Sequence, residues 1–548
     1  MELTVAPKTI DSSVSRPTLL SKDDAINLCL LALGFILVLC LVSPVRSFPI
    51  TDDWSYLQAV DQLLRWDYHP PRESQANLLS HVAWGALFVL AFGGSFTTLT
   101  IATLTASASC LVGCYLLLRH LAVTPRFALL GAAALGCNPI YLYLSYSFMT
   151  DITFLACWVW AGLFFVRGFQ GYGERWLWLG SIMCALAYLA RQPGVLLVAA
   201  AISYLLWTRR WSWRSAVGIA GVPILAVLAY TLWESTQPSN LVSGLLSRMM
   251  ADITADPVRY LRSRLPFIGL LVNAFGLFFL PVLRLPRRPL LAMPLFGALA
   301  VLLFLNTHFN GSAFPTNGNV LDRTGFVMWG YGAAPIWAEW VWALIGILSA
   351  FVLALYITAL LEKGLKSLRL KRRESRKADP AYMLYILAAL MGAFVFFVTP
   401  VLFDRYMLPV LPLLMIPALR RISLSEPLHE NSGSRASIFS RWGMLGILAV
   451  FSIVCMRDYM DHATVRWQAA QELVGRGIPR DQIDAGFEWQ GLYWPRSGKP
   501  GEEFPSQPNI RFKLSDLPVE GYAVIGSLPY SSWLSGGETR QVLLLERR

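Results

Sequence analysis

The stretch Ser47-Phe48-Pro49-Ile50-Thr51-Asp52-Asp53-Trp54-Ser55-Tyr56 sets two adjacent carboxylates, Asp52 and Asp53, directly after the first long apolar segment of the chain. Ionisable side chains are costly close to a hydrocarbon boundary, so a pair of them marks a candidate site. In a functional reading one carboxylate is a general base while its neighbour orients it or holds a metal. In a bland one, both are solvated acids in an interfacial loop. The sequence on either side decides between the two.

Residues 26–45 open a series of apolar segments that recurs to residue 456, at 78–92, 97–118, 127–144, 152–166, 176–190, 193–207, 215–233, 265–283, 290–305, 336–361, 382–399, 406–419 and 443–456. Runs of roughly 20 apolar residues are what a bilayer crossing requires. With 55% apolar residues and a mean hydropathy of +0.50, the chain reads as an all-α polytopic membrane protein. Residues 1–25 are polar and mixed in charge and lead to no small-residue cleavage site, so residues 26–45 are expected to stay as a span. All eight cysteines (Cys29, Cys40, Cys110, Cys114, Cys137, Cys157, Cys184 and Cys455) lie in apolar segments and none in the polar tail, which argues against a disulfide framework or a thiolate metal site. The net charge of +12 would suit nucleic acid only if it formed a basic face on a soluble domain. No nucleic-acid partner is expected, because loop charges explain the excess.

The segment 78–92 is short, carries His81 and ends in Gly93-Gly94, so it reads as an amphipathic helix along the membrane surface. Thirteen spans then remain. Their loops carry 25 Lys and Arg on one side and ten on the other, with eleven more in the C-terminal tail. This is the asymmetry of the positive-inside rule, and a crossing by 78–92 would turn the basic run Lys363 to Lys377 outward. The expected protein has a cytoplasmic tail (1–25), a transmembrane domain (26–456) and an extracytoplasmic C-terminal domain (457–548). Its site is a bacterial inner membrane, N-terminus inside and C-terminus outside.

This topology puts three polar constellations on one outer face: Asp52/Asp53, Thr150-Asp151, and Asp404-Arg405-Tyr406. Asp151 also stands where a simple helix cap would. The outer segment 46–96 is a first loop with interfacial helices, and 234–264 has amphipathic spacing through Leu241, Leu245, Leu246, Met249, Met250 and Ile253. The loop 306–335 is rich in turn signals with few apolar anchors and reads as a mobile segment, a lid over a site. Its Asn310-Gly311-Ser312 fits a glycosylation acceptor, a motif short enough to arise by chance. In the tail, a helical start (Ala463 to Val474) and strand-like runs at 522–525 and 542–545 suggest a small α+β domain. Phe487 to Trp494 is aromatic enough to stack on a sugar ring, or forms a strand packing into that domain.

The chain has no His-Glu-x-x-His helix, no Gly-x-Ser-x-Gly elbow and no Walker loop, so metalloprotease, serine hydrolase and NTPase readings lack their parts. Carboxylates at a membrane surface suit group transfer from a lipid-linked donor. A lipid phosphate leaves as an anion, which calls for cations rather than a general acid, and one carboxylate base for the acceptor then suffices. Arg405, Arg191 and Arg323 are the candidate cations. Hard oxygen ligands hold a metal weakly without several partners, so a divalent ion on Asp53 and Asp151 stays an open option. A transporter, or a non-catalytic subunit of a glycan export system, would keep the spans without needing the acids.

The order Asp52-Asp53-Trp54-Ser55-Tyr56, then His69-Pro70-Pro71, the interfacial segment, a span ending at Arg119-His120-Leu121, Asp151, and later Arg405-Tyr406-Met407-Leu408-Pro409 resembles the multispan GT-C glycosyltransferases of the protein-mannosyltransferase and aminoarabinose-transferase type. The family's first acid is usually followed by Glu, where this chain has Asp53. The resemblance implies a GT-C fold and a polyprenyl-phosphate sugar donor. It implies Asp52 as catalytic base, with Asp53 and Asp151 as further acidic site residues, and a glycan, lipid or protein as acceptor. It also implies donor-phosphate contacts from Arg405 and Arg191, and substrate contacts from Tyr56, His69 and Tyr406.

Overall fold

In a computed structural model, residues 21–71, 74, 76–237, 250–251, 253–283, 285–311, 319–326, 335–370, 379–399, 401–425, 432–494 and 509–548 are described. The chain is a multi-pass helical membrane protein. Among the described residues eight helices are long and apolar enough to cross: Lys22–Leu41, Phe96–His120, Thr150–Phe169, Trp213–Glu234, Pro289–Asn310, Glu339–Glu362, Asp404–Ser423 and Phe439–Gly475. Four shorter apolar helices accompany them: Leu79–Phe92, Arg175–Ala190, Gln192–Trp207 and Ala381–Phe397. Each of the thirteen expected spans is thus helical, though unevenly so. The expected segment 127–144 is a pair, Pro125–Gly136 and Pro139–Tyr146, bent by 63°. Pro139 has no N–H to continue the first helix, and Asn138 Oδ1 caps the second by accepting from the N–H groups of Ile140 (3.0 Å) and Tyr141 (3.3 Å). Segment 265–283 is Pro266–Phe275 followed by a tight 3-10 turn, Leu277–Val282.

The short helix Leu79–Phe92 packs against the helices Asp53–Leu64, Phe96–His120 and Arg175–Ala190. Gly85 makes a close approach to Phe148 possible, since a Cβ there would lie 2.4 Å from its Cζ. Three of the five non-glycine residues with positive φ, Thr51, Trp66 and Leu78, fall between residues 46 and 78. Left-handed backbone at such residues is uncommon, and surrounding contacts must enforce it. Of the segment 234–264, residues 238–249 and 252, which include Leu241, Leu245, Leu246 and Met249, lie outside the described residues. Its end is a helix, Pro257–Arg264.

The loop 306–335 departs from the expectation of a loosely anchored segment where it is described. The preceding helix runs on through Asn310, and residues 321–326 form a hairpin of β1 (Leu321–Asp322) and β2 (Gly325–Phe326). Phe326 is fully buried, edge-on to Tyr143 at 5.2 Å. Ser312 of the glycosylation motif lies outside the described residues, as do 313–318 and 327–334.

The expected boundary at Met456 falls inside one uninterrupted helix, Ser432–Gly475. Its C-terminal part carries a four-stranded sheet in the order β3-β4-β6-β5, with β3 at Ile483–Asp484, β4 at Phe512–Ser515, β5 at Tyr522–Ser532 and β6 at Glu538–Arg547. Asp458 on the helix accepts from Ser532 Oγ (2.5 Å) and from the N–H groups of Trp533 (2.7 Å) and Leu534 (3.0 Å), which ties the β5–β6 turn to the shaft. Phe487 to Trp494 is not a strand: Phe487–Tyr493 is a short helix. Its Trp489 is buried against Trp467 (5.0 Å) and Tyr493 (4.5 Å), so that ring packs a core instead of offering a face to sugar.

Candidate active site

Each charged residue of the site stands where a helix begins or breaks. Asp52 precedes the helix Asp53–Leu64, and Asp151 lies in the first turn of Thr150–Phe169. Arg191 follows Arg175–Ala190, where the coming Pro193 disfavours further helix, and Arg405 lies in the 3-10 turn Asp404–Val410. Polar side chains can collect at such points without interrupting the apolar body of a span.

The two acids of the opening stretch separate completely. Asp53 is fully buried and paired with Arg46, whose guanidinium is equally buried. Asp53 Oδ2 also accepts from the Ile50 N–H (3.2 Å), and Oδ1 from the Phe148 N–H (2.6 Å). Arg46 donates in addition to Thr100 Oγ1 (2.9 Å) and to the carbonyls of Phe48 and Tyr146. Asp53, expected as a second acid of the site, is therefore the clasp of the loop 46–53, because every direction a substrate could use is filled. Asp52 is left at the turn's tip, partly exposed, beside the left-handed Thr51.

Asp52 lies within electrostatic reach of Tyr56 and Arg405. Burial pushes the Tyr56 hydroxyl above its usual range, the Asp52 charge adds to the effect, and Arg405 and Arg191 oppose it. Arg405 in turn feels Asp151, Tyr406, Asp52 and Tyr56. Asp151 sits between the two arginines: Oδ1 accepts from Arg191 Nη1, while Oδ2 lies 3.7 Å from Arg405 Nη1 with no hydrogen bond of its own. Asp151 is therefore engaged by cations and is not a helix cap. The Arg191 guanidinium lies 5.1 Å and that of Arg405 5.7 Å from the centre of the Tyr406 ring, so both cations contact one aromatic ring. Six of the expected residues, Asp52, Tyr56, Asp151, Arg191, Arg405 and Tyr406, thus come together.

His69 and Arg323 show no such engagement. His69 is exposed and bonds Gln237 Oε1 through Nδ1 at 2.9 Å, and Arg323 pairs with Glu339. Asp404, a plausible partner for Arg405, instead accepts backbone N–H groups from Val320, Leu321 and Arg405. Two residues escaped the sequence reading. Arg46 stands just past a span and seven residues before Asp53, a usable signal in the sequence. His81, with Nδ1 3.0 Å from Thr153 Oγ1 and Nε2 3.0 Å from the Phe148 carbonyl, braces the floor beneath Tyr56, whose ring is edge-on to it at 5.8 Å.

A divalent ion needs several oxygen donors at once. The oxygens of Asp53 are taken by Arg46 and two N–H groups, and Asp151 is flanked by arginines that would repel a cation. Among the described residues no group of three His, Cys, Asp or Glu side chains gathers to hold one. Asp53 and Asp151 do not fit a resident metal.

Residues 81–233, which include His81, Asp151 and Arg191, match the family model described as dolichyl-phosphate-mannose-protein mannosyltransferase. The match covers 153 of the 548 residues, and over that part the chain is similar to this glycosyltransferase family. The chain is 12% identical to ArnT from Cupriavidus metallidurans, solved bound to undecaprenyl phosphate, over 95% of this chain and 97% of that one, with a TM-score of 0.41. The oligosaccharyltransferase AglB from Archaeoglobus fulgidus, solved with an inhibitory peptide and a dolichol-phosphate, is 14% identical over 88% of this chain and 61% of its own, with a TM-score of 0.45. The S. cerevisiae protein O-mannosyltransferase Pmt1-Pmt2 complex, bound to its sugar donor, is 15% identical over 42% and 36% respectively, with a TM-score of 0.34. No curated protein sequence matches the chain.

Proposed function

We propose that this protein transfers a sugar from a polyprenyl-phosphate donor to a hydroxyl-bearing acceptor at the outer face of a bacterial inner membrane. The observation that carries the reading is the convergence of one partly exposed carboxylate, Asp52, with two arginines, Arg405 and Arg191, around the buried Tyr56. The 25-to-ten division of basic residues between the two sets of loops supports the outer location, with the C-terminal domain on the same side.

The chemistry follows from the charges. Asp52 takes the proton from the acceptor hydroxyl as its oxygen attacks the anomeric carbon, and the bond from that carbon to the phosphate oxygen breaks. The phosphate leaves as an anion and needs no proton. It is met by Arg405 and Arg191, held in place before the donor arrives. Asp151 keeps the two guanidiniums aimed at one point while the site is empty.

The test is transfer by purified protein in proteoliposomes supplied with a polyprenyl-phosphate sugar, read by mass spectrometry of the acceptor fraction. Asp52→Asn preserves shape and removes the proton acceptor, so turnover should fall about a hundredfold or more in a folded protein. Native turnover by a folded Asp52→Asn protein would reject Asp52 as the base.

A further inference from the structure

Asp404 is a buried carboxylate that the chemistry above leaves unused. Its Oδ2 accepts from the backbone N–H groups of Val320 (3.2 Å) and Leu321 (2.9 Å), at the start of the outer hairpin. Its Oδ1 accepts from the N–H of Arg405 (2.8 Å). The three donors come from two segments more than eighty residues apart, and all are backbone groups, so the contact fixes main chain to main chain. The hairpin is held on its other side by Phe326 against Tyr143, and Tyr143 packs edge-on to Tyr459 of the long helix (5.2 Å). The Ile336 N–H bonds the Arg323 carbonyl (2.8 Å), which closes the hairpin's outer end.

An ionised carboxylate on N–H donors makes stronger hydrogen bonds than a neutral acceptor. Such a group is an unusual choice merely to fill space in a core, because its desolvation is costly. What distinguishes this one is its neighbour in sequence: the turn it pins is the turn that carries Arg405.

We infer that Asp404 is a positioning residue for the donor, a latch through which the outer hairpin 319–326 sets the aim of the Arg405 guanidinium. This rests on the reading of Arg405 as a donor-phosphate ligand. The latch predicts a coupling in both directions. A donor phosphate seated on Arg405 steadies the turn and therefore the hairpin's amides, and loosening the hairpin weakens the hold on the phosphate while the base Asp52 is left as it was.

Hydrogen exchange and kinetics on the full-length protein test this. In the wild type, a polyprenyl phosphate added in detergent should slow exchange at Val320 and Leu321. Asp404→Asn presents an amide NH2 or a weaker carbonyl to the same N–H groups. It should raise the donor KM about tenfold or more, speed exchange at both amides, and leave kcat at saturating donor within about twofold. Phe326→Ala loosens the hairpin with Asp404 intact, so it gives the same KM-selective change if Asp404→Asn fails to fold. Faster exchange with an unchanged donor KM in either variant would overturn the latch while leaving the transferase reading intact. Absence of transfer from any polyprenyl-phosphate sugar by the wild type would reject that reading instead. Amide protection by the lipid phosphate would then still report whether Asp404 couples the hairpin to an anion site.

Discussion

Arg46 and Asp53 meet as an ion pair from which both side chains are wholly withdrawn from solvent. The contact closes a short loop whose only outward-facing acid is Asp52, so the pair shapes the site without entering it. Removing one partner leaves the other charge buried, typically at a cost of about 3–5 kcal/mol. Arg46→Met and Asp53→Asn should each lower the thermal unfolding midpoint in detergent markedly, and the double variant should lose less than the two singles added. Additive losses would show that the two side chains are not coupled.

The proposed phosphate site makes a geometric demand that lysine cannot meet. Arg405 and Arg191 present planar forks in contact with the Tyr406 ring, and a lysine offers a point charge on a flexible stem. Arg405→Lys and Arg191→Lys should each raise the donor KM by about tenfold or more, measured by transfer at varied donor concentration. A native donor dependence in both would move phosphate binding elsewhere.

Gly491 lies under Trp54, and a Cβ there would come within 2.2 Å of Trp54 Cε2. Trp54 is two residues from Asp52, and its ring is also edge-on to Phe487 at 6.5 Å. Gly491→Val should push the helix Asp53–Leu64 and the C-terminal domain apart. A displacement of about 1 Å at a catalytic base costs on the order of a hundredfold in rate. Transfer should collapse while membrane insertion stays normal. Full activity in that variant would show that the C-terminal domain does not support the base.

Orientation is testable without chemistry. A reporter fused after His308 should be active outside the cytoplasm and one fused after Arg373 only inside, given the charge asymmetry of the loops. Both reporters active on one side would sink the thirteen-span arrangement.

Most of the fold could be read from the chain because bilayer crossing leaves a coarse mark, and each expected span coincides with helix. The site was legible to the extent that it depends on sidedness: Asp52, Asp151 and Arg405 were expected on one face and do come together. What could not be read depends on direction at single-residue resolution. Asp52 and Asp53 are chemically alike and adjacent, yet the turn at Thr51 sends one to the mouth and the other into the core. The continuity of Ser432–Gly475 was also hidden, because its composition changes from apolar to polar at Met456 while its helical hydrogen bonding does not. The segment Phe487–Tyr493 offered aromatic residues suited equally to strand, helix and ligand face, and only packing chose among them.

That unbroken helix has a mechanical consequence. At 1.5 Å per residue its 44 residues span roughly 66 Å, about twice the thickness of a bilayer's hydrocarbon core. The half beyond Met456 is a rigid mast, with the sheet lashed to it at Asp458 and the short helix beside it resting on Trp54. The sheet and the short helix are therefore carried on one stiff shaft, at a distance from the Asp52 turn that the helix itself fixes.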